Sequence, residues 1–205
     1  VPALPLQTDA FILLKRPPSD SFQGYVTFSS VHGIISVQQR IPKKASAASI
    51  SLDLFDEVSF DLESSNQGQT WFVKEVRLIT RHAELGRSYD TLRLASALSS
   101  LVARNAVSEE SRPAVAELLR QALASFATHA RPELVWFKCL YRFARDEGYP
   151  LKEQWYPTLD APDRGAVALL LNRPLSAQSA PAPEVERLTQ RLEHYLRSHT
   201  EILLD

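Results

Sequence analysis

Cysteine occurs once in the 205 residues, at Cys139, and methionine does not occur at all. A lone thiol cannot close an intrachain disulfide, and a four-ligand zinc site ordinarily draws on more than one. Such usage fits a reducing compartment, so a cytoplasmic location is expected. Glycine is scarce too, with six residues, which argues against a glycine-rich loop cradling nucleotide phosphates. G-x-S-x-G and H-E-x-x-H are both absent. No apolar run approaches the roughly 20 residues of a membrane-spanning helix. The opening stretch, VPALPLQTDA, lacks the charged start and apolar run of a secretion signal. Neither a membrane nor a small-molecule substrate is expected as a partner. An excess of one charge is also missing. Lys and Arg number 23 against 24 Asp and Glu, for a net charge of -1. Residues 1–82 carry eight of each sign, and residues 83–205 carry fifteen basic and sixteen acidic. No global basic field announces nucleic acid, so any basic site must be a local patch.

What is present divides the chain in two. The first 82 residues read as strands. DAFILLKR (9–16) ends at the Pro17-Pro18 breaker, and GYVTFSS (24–30) alternates with period two. GIISVQQRI (33–41) follows after a turn at His32-Gly33. SISLDLFDEVSFDLES (49–64) alternates over a long span, with a break in phase near Asp56-Glu57 that predicts a turn or bulge. TWFVKEVRLITR (70–81) is the last strand. Five strands in so short a span suit a small closed barrel, and the OB-fold is one such solution. An SH3-like barrel is the competing one.

Helical spacing then takes over, with helices expected at 88–105, 108–129, 132–148, 161–172 and 181–204. Ser108 is an N-cap candidate with acids behind it, Pro132 stands at a helix start, and Gly148 at a helix end. The expected fold is therefore α+β and multi-domain. It pairs an OB-fold-like barrel over 1–82, the candidate DNA-binding part, with an all-α domain over 83–205, the candidate protein-interaction part.

No catalytic constellation stands out, and the chain is read as a binding protein with no catalytic residue, metal or cofactor. The five histidines are scattered; His194 and His199, five apart, are poorly spaced for a metal on one helix face. Cys139, among Phe137 and Leu140, reads as a buried structural thiol. The best basic patch is QQRIPKK, with Arg40, Lys43 and Lys44 at the end of the third strand. Lys15 and Arg16 end the first strand, and Lys74 and Arg77 lie along the last. Cations around a small barrel suit phosphate contacts, which supply most non-specific affinity. Tyr25, Phe28, Trp71 and Phe72 could offer stacking faces for bases, although aromatics in a small barrel more often fill its core. In the helical part, Arg120, Arg131, Lys138 and Arg142 accompany apolar residues. They could rim a pocket for an acidic-hydrophobic peptide, or simply be solvated helix faces.

The order of these features resembles the RecO family of bacterial recombination mediators. The likeness covers most of the chain. It runs through TDAFILLKRPPSDSFQGYVTFSSVHGII (8–35), VKEVRLITRHAELGRSYDTLRLASALSSLV (73–102), FKCLYRFARDEGYPL (137–151) and RLTQRLEHYLRSHT (187–200). The resemblance implies an N-terminal OB-fold and a helical C-terminal domain. It implies binding to single- and double-stranded DNA, annealing of complementary strands, and help in loading recombinase onto DNA coated by single-strand-binding protein. Its implied partners are RecR and the acidic tail of the single-strand-binding protein. Two departures stand out. Many family members carry a four-cysteine zinc module where this chain reads PLKEQWYPTLDAPDRG (150–165), so no zinc is expected. The usual basic excess is also missing. The basic loop Arg40, Lys43 and Lys44 is the part of the family's DNA-binding role that carries over. The competing reading is a protein-interaction module with little direct DNA binding.

Overall fold

The computed structural model describes residues 4–42, 50–64 and 67–204. Lys43 and Lys44 therefore lie outside the described residues. The chain forms two compact units. One comprises Val1–His82 and Val102–Leu119, the other Ala83–Leu101 and Arg120–Asp205.

The first unit is built on five strands: β1 (Leu4–Lys15), β2 (Phe22–Ser29), β3 (Gly33–Arg40), β4 (Glu57–Ser64) and β5 (Trp71–Thr80). They close into a barrel in the order β1-β2-β3-β5-β4. β1 is long enough to pair antiparallel with both β2 and β4, and its register shifts between Ile12 and Leu14. Such a bulge bends a strand and lets it serve two neighbours. β3 meets β5 in parallel through Val37–Trp71 and Gln38–Phe72. This Greek-key order is OB-fold-like, and it decides against the SH3-like alternative.

Period-two alternation sorts the side chains. Ala10, Ile12, Tyr25, Ile35, Val37, Val58, Phe60, Leu62 and Trp71 point inward and, with Leu52, fill the barrel. Between Gly33 and Ser29 the chain reverses, and Gly33 takes φ +68, where a side chain would be strained. The guanidinium of Arg112 packs against this turn and donates to the Val31 carbonyl at 2.9 Å.

The long alternating stretch 49–64 does not form one strand. β4 begins at Glu57, and a turn precedes it in which Phe55 adopts φ +69. The buried Asp56 carboxylate holds that turn by accepting from the Asp53 backbone at 2.8 Å. Arg81 donates to Asp56 Oδ1 at 2.8 Å and to the Ser51 carbonyl at 2.7 Å, tying the turn to the end of β5.

The helices are α1 (Tyr89–Arg104), α2 (Arg112–Thr128), α3 (Pro132–Asp146), α4 (Leu151–Gln154), α5 (Ala161–Asn172) and α6 (Ala182–His199). Both α1 and α2 contribute residues to each unit. Ser108 caps the turn that leads into α2: its hydroxyl takes the backbone N–H of Ser111 at 3.3 Å and its carbonyl that of Arg112, the first residue of the helix, at 3.1 Å, with Glu109 and Glu110 in the turn between.

In the second unit α3 packs against α6. α3 buries Leu134, Val135, Trp136, Phe137, Cys139, Leu140, Phe143 and Ala144, so it is apolar on nearly all sides. Gly148, at φ +89, ends it. α6 buries Val185, Leu188, Leu192 and Leu196 along one stripe. Asp160 caps α5, and Asp163 one turn on accepts from Arg187 and Arg191 of α6. The short α4 and the 3-10 turn Tyr156–Thr158 had no sequence signal; they place the buried Leu151, Trp155 and Leu159. Among the described residues, no helix is long and apolar enough to cross a membrane.

Candidate nucleic-acid interface

Directly paired residues on neighbouring strands share a face, so the register maps the barrel's outside. Arg16 donates its backbone N–H to the Gly24 carbonyl at 2.9 Å; Gly24 pairs with Gln38, Gln38 with Phe72, and Phe72 with Glu63. One step along, Phe22 pairs with Arg40. The Phe22 and Phe72 rings meet edge to face, with centroids 5.5 Å apart, and both are only half-buried. The outer side of β2, β3 and the start of β5 thus carries two accessible rings, an amide and the guanidinium groups of Arg16 and Arg40.

Charge is uneven across this face: β2 and β3 carry no acid, while Glu63 of β4 pairs directly with Phe72. Residues 21–52 contain no Asp or Glu. β4 carries Glu57, Asp61 and Glu63, and β5 carries Glu75. Arg16 and Arg40 are exposed and form no ion pair among the described residues.

The other cations named from sequence are placed differently. Lys15 is bound to Asp53 at 2.8 Å, and that hydrogen bond holds the Asp53 carboxyl below its ordinary range. Lys74 is bound to Glu63 at 2.7 Å, which raises its pKa. Arg77 pairs across to Ser59, on the strands that bear the acids. Lys43 and Lys44 fall outside the described residues. The structure therefore brings Arg16 and Arg40 together on the ring-bearing face and sets Lys74 and Arg77 toward the acidic side.

The aromatic candidates also divide. Tyr25, Phe28 and Trp71 are buried, at 3%, 0% and 8% exposure, and cannot stack on a ligand. Tyr25 and Trp71 belong to the barrel core. The Tyr25 hydroxyl donates to Gln39 Oε1 at 3.3 Å, and burial pushes its pKa up. Only Phe72 of the four remains accessible. Sequence reasoning missed Phe22, which continues the β2 alternation two residues back from Gly24. The acid-free stretch 21–52 was the second available signal.

The helical cations are held within their own unit. Arg131 donates to Glu133 at 2.7 Å and to the Ala180 carbonyl at 2.6 Å. Lys138 donates to the Arg173 carbonyl at 2.7 Å, closing the end of α5, and burial lowers its pKa. Arg142 donates to Gln121 at 2.7 Å. Arg120 is exposed on α2. Burial pushes the Cys139 thiol up to about 12, so it stays protonated and unreactive at neutral pH. Among the described residues, no group of three His, Cys, Asp or Glu is placed to hold a metal ion.

No family model matches the chain, and no curated protein matches it. What the structure defines is an α+β chain with an OB-fold-like barrel, one of whose faces offers rings and two exposed guanidinium groups.

Proposed function

We propose that this chain is a DNA-binding accessory protein of recombination and repair, of the RecO kind. It binds single- and double-stranded DNA, anneals complementary strands, and assists recombinase loading on DNA coated by single-strand-binding protein. Its protein partners are RecR and the acidic tail of the single-strand-binding protein. The work is binding and not turnover. The observation that supports this reading most is the β2–β3–β5 face, which carries Arg16, Arg40, Phe22 and Phe72 and has no acid on β2 or β3. Guanidinium groups take phosphates, and aromatic faces accept any base. The sequence resemblance adds the mediator role.

The test is fluorescence anisotropy with labelled single-stranded DNA across a salt series, beside Arg16→Ala/Arg40→Ala. Wild-type affinity should fall steeply with salt. The double variant should bind more weakly, with a log–log salt slope shallower by roughly 1.4, since each lost phosphate contact on a single strand removes about 0.7. Absence of binding at low salt would sink the direct DNA role.

A second reading, a protein-interaction module, is favoured by the net charge of -1 and by Lys15 and Lys74 being already paired. It predicts firm binding to the acidic tail peptide with no measurable DNA affinity.

A further inference from the structure

Gly24 sits in the middle of β2, between Arg16 and Gln38. Its φ is not in the left-handed region, so the backbone does not call for glycine there. A strand interior is weakened by glycine, and such a residue often marks a close approach. Here the approach is visible. A Cβ on Gly24 would lie 3.2 Å from Gln38 Nε2, 3.3 Å from its Oε1 and 3.4 Å from Arg16 Cβ. The Gln38 amide packs close against Gly24, so that a Cβ there would have to push it back by a few tenths of an ångström. Neither of its polar atoms has a hydrogen-bond partner among the described residues. Its neighbour Gln39, by contrast, is engaged at both ends of its amide: its Nε2 donates to the Ile50 carbonyl at 2.9 Å and its Oε1 accepts from Tyr25.

The row across the sheet then reads cation, seated amide, ring. Arg16 stands on one side of Gln38 and Phe72 on the other, with Phe22 buttressing Phe72 edge-on. From Arg16 to Phe72 the row spans three strand spacings, about 14 Å. A phosphate, a base edge and a base face are three different demands, and these groups answer them in order. An amide both donates and accepts, which suits the hydrogen-bonding edge of a nucleobase. That edge and the base's face are both open only when the base is unpaired. Arg16 and Arg40, with no acid on β2 or β3, favour an anionic ligand over a neutral one, and the rings favour one with flat faces to stack.

We propose that Gly24, Gln38, Phe22 and Phe72 form a site for one unpaired nucleobase of single-stranded DNA, with Phe72 as the stacking surface, Gln38 as the edge contact and Gly24 as the seat that positions Gln38. This deepens, and rests on, the reading of the barrel as DNA-binding.

The experiment uses the full chain and three probes of equal length: a single strand, the same strand with its bases removed at several central positions, and the duplex. Wild type should bind the base-bearing strand about tenfold more tightly than the abasic one, the effect of losing a single stacked base. Phe72→Leu and Gln38→Ala should each shrink that ratio while leaving the salt slope unchanged. Gly24→Ala should shrink the ratio in the same direction but by less than Gln38→Ala, since its Cβ only displaces the amide, and combining the two should add nothing to Gln38→Ala. It should not lower the melting temperature, because only the mobile end of a side chain must shift. Equal wild-type affinity for the base-bearing and abasic strands would overturn the base site and leave phosphate-led DNA binding standing. An additive Gly24→Ala/Gln38→Ala pair would overturn the seating role. Failure to bind any of the three probes would overturn both this proposal and the DNA-binding reading.

Discussion

The charge that most depends on its surroundings is Asp56. Its side chain is fully buried and has Arg81, the Asp53 backbone and the Ser51–Arg81 link around it. A buried carboxylate survives only with such company, because desolvation would otherwise neutralise or expel it. Removing Arg81 strands the carboxylate in place. Arg81→Ala should therefore cost about 3 kcal/mol of stability, measured by urea denaturation at neutral pH. A loss no larger than that of an exposed Arg→Ala control would show that water reaches Asp56. The same residues explain why the phase break near Asp56-Glu57 was visible in the sequence while its form was not. The apolar pattern reports that alternation fails, but the left-handed Phe55 and the bidentate Arg81 depend on partners 25 residues away in sequence.

Among elements, α5 and α6 are joined by Asp163, whose carboxylate takes both Arg187 and Arg191. The Arg187 hydrogen bond is the main reason that its pKa is lowered from the ordinary 3.8. A depressed carboxylate stabilises the fold fully above its unfolded value and loses that contribution as pH falls through the folded one. Asp163→Asn should thus be less stable than wild type at neutral pH, and the two should converge as pH drops below about 4, followed by urea midpoints across the acid range. A constant gap down to strong acid would remove the ion pair as its cause. The elements themselves were legible to different degrees. α3 and α6 repeat apolar residues over four turns, which leaves little room for another reading. α4 has four residues and no repeat, so burial of Leu151 and Trp155 decides it. On the barrel, alternation identified the strands but not which phase faces in. Tyr25 and Trp71 read more readily as core than as platform from the sequence, and the register of β2, β3 and β5 places both in the core. Phe22 carried no motif and Gln38 only opened the basic stretch QQRIPKK; strand pairing brings Phe72 beside Gln38, and a ring contact brings it to Phe22.

For the molecule as a whole, the sequence pattern suggested a change of character near residues 82–87, and the strands do stop there. The compact unit that holds the barrel nevertheless includes Val102–Leu119. Arg112, from that segment, supplies the hydrogen bond to the turn between β2 and β3. A fragment of residues 1–82 should melt at a lower temperature than one of residues 1–119 and bind more of a hydrophobic dye, both readable by circular dichroism and fluorescence. Equal melting would mean that the barrel needs none of the later segment. The division also has a temporal side. On the ribosome, His82 leaves the exit tunnel 37 residues before Leu119 does. At a usual 5–20 residues per second that is an interval of roughly 2–7 s. During that interval every strand of the barrel has been made, yet its unit is unfinished. Synthesis pauses between these two points would prolong the exposure, and chaperone contact with the nascent chain should concentrate there.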